Sequence, residues 1–231
     1  MKKLIIIPAY NEEENIEATI EQIEKAAPDF DYIIINDCSK DRTEAICMER
    51  GFSFISLPIN LGIGGAVQTG YRYAKEKGYD LAVQVDGDGQ HNPAYLDDLA
   101  KELLDKDWDM VIGSRFIENI GFQSSFVRRL GIKYFTFLLK ILTGTTITDP
   151  TSGLRMVNRQ VIELFAKEYP EDYPEPESVV AILRQKRKVT ELPVIMNARE
   201  KGVSSITPRR SIYYMLKVTL AILIDIIRKK N

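Results

Sequence analysis

Two aspartates follow a short apolar segment and are separated from each other by one glycine. Residues 81–85 read Leu-Ala-Val-Gln-Val, a pattern typical of a buried strand, and Asp86, Gly87, Asp88 and Gly89 come directly after it. On an extended segment, residues two apart point to the same side, so both carboxylates can address one cation. Oxygen ligands with few protein donors suit Mg²⁺ or Mn²⁺ shared with a phosphate. The stretch therefore predicts a hard-metal site, with an ordinary turn rich in Asp and Gly as the alternative.

The residues after the two aspartates bear on which metal this is. A calcium loop of the EF-hand type has glycine at its sixth position and an acidic residue at its twelfth. Counted from Asp86, Asp97 stands at the twelfth position, but His91, the only histidine in the chain, occupies the sixth. We therefore set the calcium loop aside. His91 itself fits two roles, a ligand or base in the site, or a packed and hydrogen-bonded side chain.

The composition indicates one large globular domain. The chain has 231 residues, 45% of them hydrophobic and 28% charged, which is enough to bury a core and excludes the disordered and fibrous classes. A formal net charge of -2 argues against a general nucleic-acid binder. Residues 209–231 contain six basic residues and one acid, Asp225, a formal charge of +5 that leaves -7 for the rest. This basic, apolar tail predicts contact with an anionic surface such as lipid.

The cysteines and the amino-terminal residues predict a cytoplasmic protein. Cys38 and Cys47 have neither metal-site spacing nor the pattern of a secreted disulfide framework, so we expect reduced thiols. The apolar run Leu4–Ile7 is too short for a signal peptide.

Strands and helices are predicted to alternate along the first half of the chain. Four strand-then-helix units argue for an α/β fold, a mostly parallel central sheet flanked by helices, and the polar clusters all follow strand ends, where ligands of such sheets bind. Ser39 or Asp41 is predicted to cap the second helix. The predicted strands are Lys3–Ile7, Tyr32–Ile35, Phe52–Leu57, 81–85 and Asp109–Ile112, and the predicted helices are Glu12–Ala27, one ending at Arg50, one ending near Lys77 and one over Pro93–Asp105.

Two short segments allow more than one interpretation. Residues 62–65, Gly-Ile-Gly-Gly, are similar to a dinucleotide-binding turn, but they follow the third strand and lack the full glycine spacing, so we discard that interpretation. Glu168–Glu177 contains three prolines in ten residues and is predicted to be a loop. Glu175 and Glu177 in that segment are either solvated or part of acceptor recognition.

The ordered set of motifs resembles the family 2 inverting glycosyltransferases of the GT-A fold, and among them the dolichyl- and polyprenyl-phosphate sugar synthases, over roughly residues 3–206. The second motif departs from the family's Asp-Asp-Gly-Ser pattern, because Asn36 and Cys38 replace the first aspartate and the glycine. The matching stretches are 8–12 (Pro-Ala-Tyr-Asn-Glu), 36–43 (Asn-Asp-Cys-Ser-Lys-Asp-Arg-Thr), 86–91, 113–115 (Gly-Ser-Arg), 149–153 (Asp-Pro-Thr-Ser-Gly) and Arg199 with Gly202 and Ser204.

The resemblance implies a role for each motif. A Mg²⁺ or Mn²⁺ ion would be held by Asp86, Asp88 and Gln90, and Asp37 would contact the nucleotide base. The catalytic candidates are Asp149, Arg115 and Asp88. The candidates for nucleotide-sugar binding are Pro8, Tyr10, Glu12, Asp37, Gly64 and Asp86, and those for the acceptor phosphate are Arg128, Arg129 and Arg199, with a structural salt bridge as the alternative for at least one of the first two.

The implied reaction places growing negative charge on the diphosphate that leaves the sugar. A divalent ion at Asp86 and Asp88 would neutralise that charge, with Arg115 as a further fixed positive charge, and attack from the opposite face would invert the anomeric centre. The acceptor decides the role of Asp149. For a sugar hydroxyl, a base contributes about 10²- to 10⁴-fold. A lipid phosphate, with a second pKa of about 6, is already largely ionised, and Asp149 would only orient it.

Two apolar helices are predicted outside the motifs. Phe126–Leu142 carries a basic face at Arg129, Lys133 and Lys140, and either packs on the sheet or contacts a membrane or a partner. Ser211–Arg228 is bracketed by basic residues and contains Lys217 and Asp225, so it is predicted to lie in a membrane interface rather than to span the bilayer.

The sequence thus predicts a GT-A catalytic domain over 1–208 and a basic amphipathic helix over 209–231 that binds the membrane interface or a partner. The expected activity is metal-dependent inverting transfer from a nucleotide-sugar, a UDP-sugar favoured, to a polyprenyl phosphate at the cytosolic membrane face. The alternatives are transfer to a hydroxyl of a polysaccharide or lipid-linked glycan, and an inactive GT-A binding or scaffold module. The expected location is cytoplasmic, peripherally attached to the inner face of the membrane, with a membrane protein or a second copy as a further partner and no nucleic acid.

Overall fold

A computed structural model of the chain describes residues 1–118, 120, 126–172, 174–197 and 208–227, and within them seven strands form one sheet. The strands are β1 (Lys3–Ala9), β2 (Asp31–Asn36), β3 (Phe54–Ser56), β4 (Leu81–Gln84), β5 (Met110–Ser114), β6 (Arg155–Asn158) and β7 (Val189–Pro193). The helices are α1 (Ile16–Ala26), α2 (Thr43–Arg50), α3 (Gly62–Lys77), α4 (Leu96–Asp105), α5 (Phe126–Thr143), α6 (Arg159–Lys167), α7 (Pro174–Arg184) and α8 (Pro208–Ile227).

The sheet is mostly parallel, as the sequence predicts. Its strand order is β3-β2-β1-β4-β6-β5-β7, and β6 is antiparallel to both of its neighbours. The carboxyl ends of the six other strands therefore meet at one edge of the sheet. Because β6 runs the other way, the segment that precedes it, 149–154, lies at that same edge. Strands β6 and β7 and helix α6 were not predicted from the sequence.

Apolar side chains cover both faces of the sheet. On one face, α1, α2 and α4 pack on alternate residues of the strands, such as Ile5 and Val83. On the other face, α3 and α5 to α8 pack on the residues between them, such as Ile6 and Ala82. The alternation follows from the twofold periodicity of a strand, which points successive side chains to opposite faces. A sheet buried on both faces presents its ligands at the strand ends.

The prediction that Glu168–Glu177 forms a loop was wrong for its last four residues, which lie in a helix. Helix α7 begins at Pro174, and Pro176 lies in its first turn. The first N–H groups of a helix have no intrahelical acceptor, so proline is tolerated there although it breaks a helix interior. Prolines at two positions in one turn thus mark a helix start and not a continuous loop.

Helix α8 packs against α5 and α7, and Val218 and Ile222 are fully buried in the core. Lys217, one of the two charged residues noted within this helix, forms an ion pair with Asp172 of the preceding domain. Within the described residues, no helix combines the length and apolar character that a bilayer span needs. The division at 208 into a catalytic domain and a terminal helix stays a prediction.

Candidate active site

The ends of β1 and β4 lie side by side at the centre of the sheet, where the strand order reverses. Gly87 packs closely against the β1 end, because a Cβ atom on it would stand 3.2 Å from the Pro8 carbonyl oxygen and 3.7 Å from Glu12 Cγ. The motif at 8–12 and the turn at 86–88 therefore form adjoining walls. Ligands of open α/β sheets bind at such a reversal point.

Asp86 is held by two neighbouring side chains. Gln84 donates from Nε2 to Asp86 Oδ1 at 2.9 Å, and the Asp86 backbone N–H donates to His91 Nδ1 at 3.0 Å. His91 is only 5% exposed, and its Nε2 lies 3.7 Å from Asp86 Oδ2. Because Nδ1 accepts a hydrogen bond, a neutral ring carries its proton on Nε2, facing the carboxylate. The structure thus favours the packed, hydrogen-bonded role for His91, which fixes the turn around Asp86.

Asp86 and Asp88 lie on a turn, and the prediction of an extended segment was wrong. Strand β4 ends at Gln84, and Gly89 has a φ of +73°, which lets the chain turn away sharply. Asp88 Oδ1 accepts the N–H of Gln90 at 3.1 Å. The twofold alternation of a strand therefore does not apply to these carboxylates.

The donor set of this turn fits a hard divalent ion. Asp86, Asp88 and Gln90 are half-buried and offer only oxygen ligands from their side chains, if the Gln90 amide turns its oxygen inward. In the described part of the chain, no three His, Cys, Asp or Glu side chains come together as a metal cluster. The two carboxylates with Gln90 would therefore leave positions for water and phosphate oxygens, which is how Mg²⁺ is commonly bound.

The motifs at the ends of β1 and β2 are joined by reciprocal hydrogen bonds. Asn11 adopts a φ of +56°, a conformation that asparagine tolerates, and so aligns the two loops. Asp41 also accepts the N–H of Thr43, the first residue of α2, at 3.0 Å. The N-cap position of α2 is Arg42, however, and its side chain makes no capping hydrogen bond, so the prediction of Ser39 or Asp41 as the cap was wrong. The joining bonds are Asn11 N to Ser39 Oγ (3.0 Å), Lys40 N to Asn11 Oδ1 (2.8 Å), Glu13 N to Asp41 Oδ2 (3.0 Å) and Arg42 N to Glu13 Oε2 (2.9 Å).

Asp37 is buried and connects the second motif to helix α3. Its two carboxylate oxygens accept the N–H groups of Leu61 at 2.7 Å and Gly62 at 2.9 Å. Burial raises the pKa of the Asp37 carboxyl, and these two N–H groups oppose the shift. Each carboxylate oxygen has a second lone pair, so a base N–H can still be accepted. Contact with the base stays a prediction.

Cys38 occupies a backbone conformation that suits glycine. Its φ is +58°, in the left-handed region that costs a residue with a Cβ atom about 1–2 kcal/mol. The glycine of the family pattern at this position thus has a conformational reason, and cysteine keeps the turn at a cost in stability.

Replacing Cys38 by glycine is expected to raise the free energy of unfolding by about 1 kcal/mol, because the strain is removed while glycine adds entropy to the unfolded chain. Urea unfolding measures the change. Cys38→Ser is the matched control, since it removes the thiol and keeps the Cβ atom. If both variants are equally stable, backbone strain at this position is not the cause.

Gly64 and Tyr10 were predicted to bind the nucleotide-sugar. The Gly64 N–H donates to the Glu171 carbonyl at 2.9 Å, and a Cβ atom there would stand 2.1 Å from the carbonyl oxygens of Pro170 and Glu171. Glycine is therefore required by close backbone packing. Tyr10 is exposed at the end of β1. A donor contact of either residue stays a prediction.

Arg115 and Asp149 form a buried bidentate ion pair. Arg115 Nε lies 2.7 Å from Asp149 Oδ2 and Nη2 lies 2.8 Å from Oδ1, with the two residues 6% and 0% exposed. The Arg115 backbone N–H and the Thr151 hydroxyl also donate to this carboxylate. Asp149 is thus surrounded by donors, and its charge balances that of Arg115. This geometry favours an orienting role for Asp149 over that of a free base.

Glu191 on β7 was missed by the sequence analysis. Its carboxylate accepts the N–H groups of Thr148 at 2.6 Å and Asp149 at 2.8 Å. Burial raises the pKa of the Glu191 carboxyl, opposed by these hydrogen bonds. The Ser114 and Thr148 hydroxyls are 2.7 Å apart and tie the end of β5 to the same segment. The sequence offered one signal for this role, which is that Glu191 is a charged residue in the short segment Val189–Pro193, whose other residues suit a strand.

Gly153 brings the two halves of the site together. A Cβ atom on it would lie 3.0 Å from Gln84 Nε2, 3.1 Å from Asp86 Oδ2 and 3.1 Å from His91 Cε1. The segment with Asp149 therefore packs directly behind the turn with the proposed metal ligands. Of the predicted acceptor-phosphate residues, Arg129 is exposed on α5, whereas the Arg128 side chain and Arg199 lie outside the described part of the chain.

The sheet, with carboxylates at the point where its strand order reverses, defines an α/β protein, and comparison with known proteins identifies the family. The glycosyl transferase family 2 model matches residues 4–165, and the chain belongs to this family. It is an enzyme, a glycosyltransferase of the GT-A fold.

Three similar proteins illustrate the relationship. Undecaprenyl-phosphate mannosyltransferase of Micrococcus luteus is 30% identical, covering 90% of this chain and 88% of that protein. UDP-N-acetylglucosamine–dolichyl-phosphate N-acetylglucosaminyltransferase of Methanococcus voltae is 32% identical, covering 82% and 83%. Glucosyl-3-phosphoglycerate synthase from Mycobacterium tuberculosis, solved with Mn²⁺, UDP and phosphoglyceric acid, superposes with a TM-score of 0.73 at 18% identity, covering 97% and 78%. The last of these supports the fold alone.

Proposed function

We propose that the enzyme transfers a sugar from a nucleotide-sugar, a UDP-sugar favoured, to a polyprenyl phosphate with inversion, at the cytosolic face of the membrane. The observation that carries the proposal is the burial of Asp149 and its ion pair with Arg115. The carboxylate that a hydroxyl acceptor would need as a base is fully buried, with both oxygens bound to Arg115. A phosphate acceptor arrives largely ionised and needs no such base.

The relatives support the acceptor and the donor. The Micrococcus luteus and Methanococcus voltae proteins are named for undecaprenyl phosphate and dolichyl phosphate, and the second is named for a UDP-sugar. Both are aligned over more than four fifths of this chain. The preference for a uridine nucleotide rests on that name.

Each group of site residues has a separate proposed role in the reaction. Asp86, Asp88 and Gln90 would hold Mg²⁺ or Mn²⁺, which when bound neutralises charge on the departing diphosphate. Asp37 and the motif at 8–12 would hold the nucleotide, and His91 and Gln84 keep Asp86 in place. The Arg115–Asp149 pair is connected to the turn at Asp86 through Gly153 and would orient the acceptor phosphate, with Arg128, Arg129 and Arg199 as further cationic candidates.

The proposed membrane contact is a surface formed by α5 and α8. These helices touch through the Tyr134 and Thr219 hydroxyls, 2.9 Å apart. Their outward sides expose large apolar residues at helical spacing, next to the exposed basic residues Arg129, Lys133 and Lys140. Apolar side chains with adjacent cations suit an anionic lipid surface. The exposed apolar residues are Leu130, Tyr134, Phe137 and Ile141 on α5, and Leu216, Leu220, Leu223 and Ile224 on α8.

Replacing Leu216 and Leu220 together by glutamate is expected to weaken binding to anionic phosphatidylglycerol vesicles by about tenfold or more per leucine, because each buries apolar area in the interface. Vesicle sedimentation measures the change. Leu104→Glu is the matched control, an exposed leucine on α4 that should leave binding unchanged. Unchanged sedimentation of the double variant would place the membrane contact elsewhere.

The function is tested by transfer of radiolabel in the presence of Mg²⁺ or Mn²⁺. UDP-glucose, UDP-N-acetylglucosamine and GDP-mannose are offered in turn to undecaprenyl phosphate in detergent. Label in the lipid extract supports the proposal and identifies the donor. Hydrolysis of a donor without lipid product would overturn the phosphate acceptor and point to a hydroxyl acceptor.

A further inference from the structure

Residues 148–152, which contain Asp149, lie between the half-buried carboxylate of Glu191 and the buried guanidinium of Arg155. Glu191 on β7 binds backbone N–H groups of this segment, and Arg155 on β6 binds its carbonyl groups. We propose that Glu191 and Arg155 are positioning residues that fix the segment and thereby set the orientation of the Arg115–Asp149 pair at the acceptor. The inference rests on the proposed function for what the pair does in the reaction.

Glu191 holds the first half of the segment. Its Oε1 accepts from the Asp149 N–H at 2.8 Å and the Thr148 hydroxyl at 3.0 Å, and its Oε2 accepts from the Thr148 N–H at 2.6 Å. A carboxylate that accepts from two successive backbone N–H groups fixes the peptide plane between them. The direction in which the Asp149 side chain leaves the backbone is fixed with it.

Arg155 holds the second half. Its side chain is 1% exposed and donates from Nη2 to the Pro150 carbonyl at 2.8 Å and from Nε to the Ser152 carbonyl at 2.6 Å. From Nη1 it also donates to the Glu175 carbonyl and, at 2.7 Å, to Ser178 Oγ, both in α7. One guanidinium therefore ties the segment to the start of α7, a geometry that the planar fork of arginine allows and lysine does not.

Asp149 and Thr151, which contact Arg115, lie in the segment that Glu191 binds at one end and Arg155 at the other. Asp149 reaches Arg115 through both carboxylate oxygens, and Thr151 donates to Asp149 Oδ1 at 3.2 Å. A bidentate pair tolerates little displacement, because both hydrogen bonds weaken when the carboxylate rotates. Loss of one anchor is therefore expected to affect the rate more than the affinity for the donor, whose proposed contacts are on β1, β2 and β4.

The experiment compares Glu191→Gln with wild type in the full chain. Glutamine keeps the shape and one acceptor oxygen, but its NH₂ group faces a backbone N–H where the carboxylate accepted one. We expect kcat to fall by about 10²-fold with donor KM unchanged, the order of loss that a small misplacement causes. Amide hydrogen exchange of residues 144–153, followed by mass spectrometry, should become faster in the variant.

Asp109→Asn is the matched control. Asp109, just before β5 and at the opposite end of the β5–β7 pair, accepts from the Lys188 N–H at 2.8 Å, from Asn158 Nδ2 at 3.0 Å and from Arg187 Nη1 at 2.9 Å. Its replacement should lower stability while leaving kcat and the exchange of 144–153 unchanged. Equal losses of kcat in both variants, or a Glu191→Gln variant with wild-type kcat and exchange, would overturn the inference.

Failure of the proposed function gives a different result. If wild type transfers no sugar to lipid phosphate, exchange of 144–153 still reports the anchor without any substrate. Absent transfer by wild type overturns the assigned acceptor. Faster exchange in Glu191→Gln, without a change in Asp109→Asn, would still support the anchoring of the segment. Unchanged exchange overturns the anchoring itself.

Discussion

Asp88→Ala is expected to reduce sugar transfer by at least about 10³-fold while the fold is kept. Loss of a carboxylate ligand weakens binding of the divalent ion, whose stabilisation of the departing diphosphate contributes several kcal/mol, and about 4 kcal/mol corresponds to a factor of about 10³. Asp88 is half-buried on a turn, so its removal leaves the core intact. Steady-state transfer at rising Mn²⁺ concentration measures the effect, since a weakened site should respond to added metal.

Two variants separate ligand loss from damage to the turn. Asp88→Asn keeps an oxygen that can accept the Gln90 N–H, so the turn is preserved while the charge is lost, and its rate should also fall strongly. Asp98→Asn, an exposed aspartate on α4, should behave as wild type. A wild-type rate in Asp88→Ala would remove the metal proposal.

Asp149→Asn is expected to lower the free energy of unfolding by about 3 kcal/mol, because Arg115 remains buried without its charged partner. Transfer to a phosphate acceptor should slow by less than about 10³-fold, since the proposed role of Asp149 is orientation and not proton abstraction. Thermal unfolding and transfer rates are measured on the same preparation.

The control for this variant is an ion pair at the surface. Asp80 lies 2.9 Å from Arg159, and the Arg159 and Asp80 side chains are 55% and 36% exposed, so Asp80→Asn should cost at most about 1 kcal/mol and leave the rate unchanged. A loss beyond about 10³-fold in Asp149→Asn with a phosphate acceptor would show that Asp149 takes part in proton transfer.

Local patterns predicted the first half of the fold well. Strands such as Lys3–Ala9 are compact apolar runs that end in turn residues, and Gly51 and Gly78 end the helices α2 and α3 in left-handed conformations. The second half was harder to predict. Strand β6 has four residues, begins with a buried arginine and is antiparallel, and none of these features has a local signal.

The motifs could be placed at the strand ends, but their contacts could not be predicted. The ion pair of Arg115 with Asp149 joins residues 34 positions apart, and it forms because β6 enters the sheet beside β5. Gln84 and Glu191 were overlooked because Gln84 is the single polar residue of β4 and Glu191 is the single charged residue of β7. Their importance comes from the backbone groups and carboxylates that the tertiary fold brings to them.

The antiparallel strand β6 has a consequence for how the length of the chain before it can vary. The chain leaves the edge of the sheet after Ser114, forms α5 and returns to the same edge at Thr148. The hydroxyl groups of Ser114 and Thr148 are hydrogen-bonded, so the two ends of this connection are joined. The proposed donor residues up to Gln90 lie before it in the chain. A change in the length of the chain between Ser114 and Thr148 therefore need not alter the order of the strands or the proposed donor residues.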